Sequence, residues 1–170
     1  MPPTRIFEPV PGTSVRVSIA RQRLWLQQDG APVAEYPVST AANGAGERNG
    51  SQCTPRGRHR IRARIGAGCP AGTVFVGRRP TGELFAPELR VAHPRRDWIL
   101  TRILWLSGCE PGRNRLGAVD TMRRYIYIHG TPDDVALGVP GSHGCIRMAK
   151  ADVIEQCDRV AVGTPVVIEE

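Results

Sequence analysis

The residues able to do chemistry are concentrated between positions 129 and 147. They fall in two short runs, Ile128-His129-Gly130-Thr131 and Pro140-Gly141-Ser142-His143-Gly144-Cys145-Ile146-Arg147-Met148. A cysteine becomes a nucleophile when a base within reach can take its proton, and either His129 or His143 can be that base. The main-chain N–H groups around Gly144 and Cys145 can hold a developing oxyanion, because glycines let the backbone turn tightly and free its amides to face a ligand. Arg147 can grip a carboxylate through two parallel hydrogen bonds. Nucleophile, base, oxyanion donors and an anionic anchor are together the parts of an acyl transfer.

Each residue also has a plainer reading. Cys145 alone is a small buried hydrophobe, His129 a core histidine bonded to backbone, His143 a brace for its loop, and Arg147 half of a structural ion pair. Zinc is the chemical rival, since His129, His143 and Cys145 are all metal ligands by type. Their H-x13-H-x-C spacing matches no closed structural site, so no metal and no other cofactor is expected.

To present these groups the chain needs a strand end and a tight turn. The run Tyr125–Ile128 predicts a strand leading into His129. Residues 149–157 predict a helix with Ala149, Val153, Ile154 and Cys157 on one face and Asp152 near its start, where the helix dipole favours an acid. Upstream, Val15, Val17 and Ile19 alternate with polar residues, a period of two. Asp29-Gly30 is a turn signal between Leu24-Trp25-Leu26 and a returning strand over Val33–Ser39. Residues 41–57 read as a long loop, residues 58–65 as a strand through Ile61, Ala63 and Ile65, and Val74–Val76 and Ile99–Leu106 as further strands. Residues 107–120 read as a polar loop. Val160 and Val162, Gly163-Thr164-Pro165 and Val166–Ile168 read as a closing hairpin or strand pair. The expectation is one mainly β domain over residues 14–168 with one or two helices, preceded by an irregular, proline-rich arm over residues 1–13.

A length of 170 residues fits one domain with a core of its own. The net charge of +7 fits an arginine-rich enzyme surface, or attraction to anionic substrates. Nucleic-acid binding is disfavoured: there is no zinc-finger spacing, no RNP-like run and no basic helix. Five cysteines without a CxxC suggest a reducing compartment, with a single bridge such as Cys53 to Cys69 as the one pairing worth considering. The start MPPTRIFEPVPG lacks the apolar core of a signal peptide, and no stretch approaches the ~20 apolar residues of a membrane span. The expectation is a cytoplasmic protein with no membrane partner, or a periplasmic one if an export signal has been removed.

His129-Gly130-Thr131 followed by Ser142-His143-Gly144-Cys145-Ile146-Arg147-Met148 resembles the signature of the L,D-transpeptidase (YkuD) catalytic domain. Val17-Ser18-Ile19 with Gln22-Arg23-Leu24 resembles that family's first strands. Thr54-Pro55-Arg56-Gly57 resembles its T-P-x-G segment, and Gly163-Thr164-Pro165-Val166 its closing G-T-P-V. His59 departs from the pattern, since the family usually carries Phe there. The resemblance implies a β-sandwich-like domain with a capped catalytic cleft. It also implies action on murein tetrapeptide or peptidoglycan stem peptides, at the bond between the L-centre of diaminopimelate (or L-Lys) and the terminal D-Ala. By the same resemblance Cys145 is the nucleophile, His129 the general base oriented by the Gly130 carbonyl, and His143 the second histidine beside an oxyanion region built around Gly144. Arg147, Ser142 and Thr131 are expected to meet substrate. Water is the favoured acceptor, giving an L,D-carboxypeptidase of peptidoglycan recycling. The alternative is an amine acceptor, giving 3→3 cross-links or D-amino-acid exchange. Oligomeric state is not legible in the sequence.

Overall fold

The protein is described by a computed structural model over residues 10–170, so most of the expected irregular arm lies outside the described residues. The chain opens with three antiparallel strands, β1 (Thr13–Ser18), β2 (Arg23–Gln28) and β3 (Ala31–Ser39). Asp29 and Gly30 both take positive φ in the turn between β2 and β3, as an Asp-Gly hairpin demands. After the loop come β4 (Gly57–Ile65), β5 (Thr73–Val76), β6 (Arg79–Leu84), the short helix α1 (Pro87–Ala92) and the long strand β7 (Ile99–Gly108). The last third holds β8 (Tyr127–Gly130), β9 (Ile146–Met148), α2 (Lys150–Arg159) and β10 (Pro165–Glu169).

All ten strands form one sheet in the order β4-β10-β1-β2-β3-β9-β8-β7-β5-β6, and β4 also pairs with β7. Eight strands therefore close into a ring, and the β5–β6 hairpin continues outward from β7. The ring is filled by inward-facing residues of nearly every strand, among them Val15, Val17, Leu24, Leu26, Val38, Ile61, Leu104, Leu106, Ile128, Ile146, Met148, Val166 and Ile168. Helix α2 adds Val153 and Cys157 to this core, with Gln156 also buried and Ile154 only partly so. Ala149, expected on that face, is the residue before the helix. The mainly β, sandwich-like expectation holds, with the layers continuous because the sheet closes.

Three local expectations change. The strand before His129 starts at Tyr127 rather than Tyr125, because Tyr125 has φ +56 and closes a turn onto Met122. Val160–Val162 is not a strand: Gly163 N–H bonds to Ile61 O and Ala161 N–H to Thr164 Oγ1, a turn that launches β10 alone. β10 then inserts parallel to β1 and antiparallel to β4. Strand β6 and helix α1, unforeseen, have few or no buried side chains and hence no clear apolar period. All five cysteines are unpaired.

Candidate active site

β8 and β9 lie side by side in parallel, with His129 opposite Arg147 and Gly130 opposite Met148. Side chains alternate between faces along a strand. Ile128, Ile146 and Met148 therefore enter the core, while Tyr127, His129, Cys145 and Arg147 share the other face. Cys145, one residue ahead of β9, is thus the diagonal neighbour of His129.

The turn that carries Cys145 is held from several sides. Gly144 has φ +131, and a Cβ there would lie 3.0 Å from Ile126 Cδ1 and 3.2 Å from the Cys53 carbonyl, so only glycine fits. Thr54 of the T-P-x-G segment donates its hydroxyl to Gly144 O at 2.9 Å. Gln22 binds the backbone and hydroxyl of Thr40, and Thr40 O in turn accepts the N–H groups of Gly141 and Ser142. The sequence motifs far from Cys145 are therefore its scaffold. Ser142, expected to meet substrate, is instead buried: its hydroxyl donates to Cys145 O at 2.5 Å and accepts from Gly144 N–H at 3.2 Å. It shapes the turn and presents nothing outward.

His129 is buried, and its Nδ1 lies 2.7 Å from Gly130 O. A carbonyl can only accept, so the proton sits on Nδ1 and the lone pair on Nε2. Nε2 is buried with no hydrogen-bond partner among the described residues. Burial lowers the pKa of His129, only partly opposed by the Gly130 bond, so the ring is neutral at neutral pH. The Cys145 sulfur accepts the Tyr127 N–H at 3.3 Å and can donate to Tyr125 O at 3.4 Å. Burial pushes its thiol up to about 12 against the opposing pull of the Tyr127 N–H. Cys145 and His129 thus rest as a neutral thiol and a neutral imidazole.

Gly130 is held to glycine by its neighbour β7. β7 is irregular between Leu100 and Ile103, with Thr101 at φ +75. A Cβ on Gly130 would lie 2.5 Å from Thr101 Oγ1 and 2.8 Å from Leu100 O.

Two depressions of about 500 Å³ each meet beside these residues. Cys145 lines one with Tyr125, Tyr127, Arg78 and Arg124, and Arg147 lines the other with Thr131, Arg90, Arg95 and Arg96. Asp97 and exposed His143 belong to both. Arg147 is already engaged, donating to Gly141 O at 3.1 Å and pairing with Asp97 at 3.3 Å. Asp97, Arg78 and Arg124 escaped the sequence reading. Arg124 reaches back to the Cys53 carbonyl at 2.7 Å and ties the 41–57 loop to the site. Arg78 takes φ +64 after Gly77 in the two-residue β5–β6 turn; the Gly-Arg pair between two strands was the available signal. No group of three or more metal-ligating side chains stands close enough to hold an ion among the described residues.

A family model for the L,D-transpeptidase catalytic domain matches residues 12–168. The chain belongs to this family. No curated protein matches it. Among solved structures it is similar to an L,D-transpeptidase from Mycobacterium smegmatis, at 16% identity and a TM-score of 0.55, covering 94% of this chain and 59% of that one. It is also similar to L,D-transpeptidase 3 from Mycobacterium tuberculosis bearing a faropenem-derived adduct, at 17% identity, a TM-score of 0.56, and coverage of 94% and 61%. A cysteine-to-serine mutant of an Enterococcus faecium L,D-transpeptidase matches at 16% identity and a TM-score of 0.56, covering 94% and 50%. The chain thus spans roughly half to three fifths of the length of these structures, and at such identities the likeness is one of fold. Family membership makes the chain an L,D-transpeptidase-type enzyme domain, and His59 is its departure. That histidine is buried, with Nδ1 3.0 Å from Gly57 O and Nε2 2.9 Å from Thr121 Oγ1, a polar bridge in place of an aromatic ring.

Proposed function

We propose that this domain cleaves the bond between the L-centre and the terminal D-Ala of a murein tetrapeptide stem and passes the acyl group to water. The carrying observation is the unpartnered lone pair on His129 Nε2, on the same sheet face as Cys145 and one step away across adjacent strands. Cys145 Sγ attacks the L-centre carbonyl as its proton passes to His129 Nε2. The oxyanion is held by the N–H groups of His143 and Cys145, because that of Gly144 is taken by Ser142 Oγ. The C–N bond then breaks, and the imidazolium gives its proton to the departing amine of D-Ala. Water, deprotonated by His129, attacks the thioester and returns the free thiol. Arg147, at the edge of the adjoining depression, faces the carboxylates of the stem, while Thr131 is buried beneath that depression's wall.

The depression beside the sulfur, bordered by exposed Tyr125 and His143, can admit water to the thioester, which favours water as acceptor and free tetrapeptides as substrate. A second reading rests on the adjoining depression. Its Arg95, with no acidic partner within ion-pairing distance among the described residues, suits a carboxylate of an acceptor stem, while Arg90 and Arg96 are paired with Asp134 and Glu83. Incubating the protein with free tetrapeptide, with and without a second amine-bearing stem, and weighing the products separates the two. Loss of D-Ala with water taken up and no dimer supports the hydrolase; a dominant dimer supports the transpeptidase. Cys145→Ala should abolish turnover while leaving the circular dichroism spectrum unchanged, and turnover at the native rate would refute the thioester route. A carbapenem should add its mass to the native protein and not to Cys145→Ala.

A further inference from the structure

Strand β4 carries Arg58, Arg60 and Arg62 on its exposed face, alternating with buried Gly57, His59 and Ile61. Same-face residues on a strand recur every ~7 Å, so this is a ladder of evenly spaced cations. Arg60 and Arg62 line a depression of about 450 Å³ with Arg115 and Arg123 from the following loop. None of these four guanidinium groups has an acidic partner within ion-pairing distance among the described residues. The acid in the depression is Asp120, whose carboxylate is occupied by the backbone N–H groups of Leu116 and Arg123. Ser107, opposite Arg60 across the ladder, also lines it, and its buried hydroxyl has no hydrogen-bond partner among the described residues.

This depression lies on the same sheet face as Cys145. Arg60 pairs with Ser107, Ala63 with Trp105, Trp105 with Tyr127 and Ile103 with His129, so the register carries one face from β4 through β7 and β8 to β9. A bridge of side chains spans the interval. Arg62 stands 5.6 Å from the Trp105 ring, and Arg78 stacks on Trp105 at 4.7 Å and on Tyr125 at 4.9 Å. Tyr125 and Arg78 line the Cys145 depression. Three strand spacings of ~4.8 Å separate β4 from β9, about 14 Å in all, the reach of about four extended residues.

We infer that the Arg60–Arg62–Arg115–Arg123 depression is an exosite for the carboxylate-bearing far end of an extended peptide whose reactive acyl group lies at Cys145. This inference rests on the proposed acyl-transfer function for the identity of the peptide. In a free tetrapeptide stem three residues lie on the acyl side of the scissile bond, about 10 Å when extended, which falls short of the arginines, whereas a cross-linked pair of stems reaches them with its additional carboxylates. The site therefore selects long, multiply charged substrates over short ones.

The test uses the full chain carrying Cys145→Ala, so that binding is read without turnover. Fluorescence anisotropy measures its affinity for a labelled cross-linked stem dimer and for a labelled free tetrapeptide, with and without Arg60→Gln, Arg62→Gln and Arg123→Gln combined. All three arginines are exposed, so their loss leaves the core intact. The expected result is dimer binding at least tenfold weaker in the triple variant and tetrapeptide binding changed less than twofold. With Cys145 intact, the triple variant should keep native kcat on the tetrapeptide. Equal dimer affinity with and without the arginines overturns the exosite, as does failure of the dimer to bind at all. Arginine-dependent retention of single-stranded DNA with dimer affinity unaffected assigns the depression to phosphodiesters and also overturns it. Arginine-dependent dimer binding without turnover of either peptide leaves the exosite standing and removes the acyl-transfer reading instead.

Discussion

At the level of single residues, the resting site is a neutral thiol beside a neutral imidazole, and this fixes its pH behaviour. As the base of the proposed transfer, His129 must be neutral. Burial lowers its pKa below the ordinary value of 6.5, so the acid limb of kcat/KM belongs below pH 6.5. A rate profile on free tetrapeptide whose acid limb falls at or above 6.5 would contradict the assignment of His129. Its buried counterpart, His59, acts on stability. Its pKa is lowered by burial to about 4, while an unfolded chain takes up that proton near 6.5. Between those values the unfolded state binds more protons, so stability falls as pH drops from 6.5 toward 4. At about 1.4 kcal/mol per unit the loss is on the order of 3 kcal/mol. His59→Phe removes this loss but strands the buried Thr121 hydroxyl, at a cost of about 1–3 kcal/mol at pH 7. Urea midpoints at pH 7 and 4.5 should show a variant that is weaker at neutrality yet less sensitive to acid than the native protein.

Among the elements, the irregularity in β7 governs how β8 presents His129. Thr101, at φ +75, presses its side chain against Gly130, and Leu100 O stands as close. Gly130→Ala overfills this contact and should cost about 1–3 kcal/mol. It should also lower kcat, since Gly130 O orients the imidazole; an unchanged thermal midpoint would show that β7 yields. What the sequence made legible follows the same division. Val15, Val17, Ile61 and the Asp29-Gly30 turn announced their elements because alternation and turn chemistry are local. The pairing of His129 with Cys145 was legible through the resemblance alone. A parallel β8–β9 contact joins residues 18 positions apart through strand register, which no local period encodes. Val160–Val162 has the composition of a strand but stops at a turn bonded to Ile61, far away in sequence. Asp97 and the arginines of β4 stayed unread for a related reason. Charged surface residues look alike until a sheet gathers them onto one face.

For the whole molecule, closure is the governing fact. Nine of the ten strands have partners on both sides, β6 being the exception, so the sheet exposes few of the unpaired edges through which β proteins aggregate. The last strand, β10, is the insert that joins β1 to β4 and sends Val166 and Ile168 into the core. Deleting residues 163–170 should therefore open the ring rather than trim an end. Loss of the cooperative urea transition, followed by near-ultraviolet circular dichroism, would report this, and a truncated protein unfolding as sharply as the native one would contradict it. The placement of β10 also bears on synthesis. A ribosome delivers β1 long before β10, yet the two are immediate neighbours. The nascent chain can form its β1–β3 meander early, but it cannot shut the barrel wall until residues 165–169 have cleared the exit tunnel. The catalytic face is thus assembled after translation has passed it, and a growing chain carries Cys145 for some twenty residues before closure can complete the fold around it.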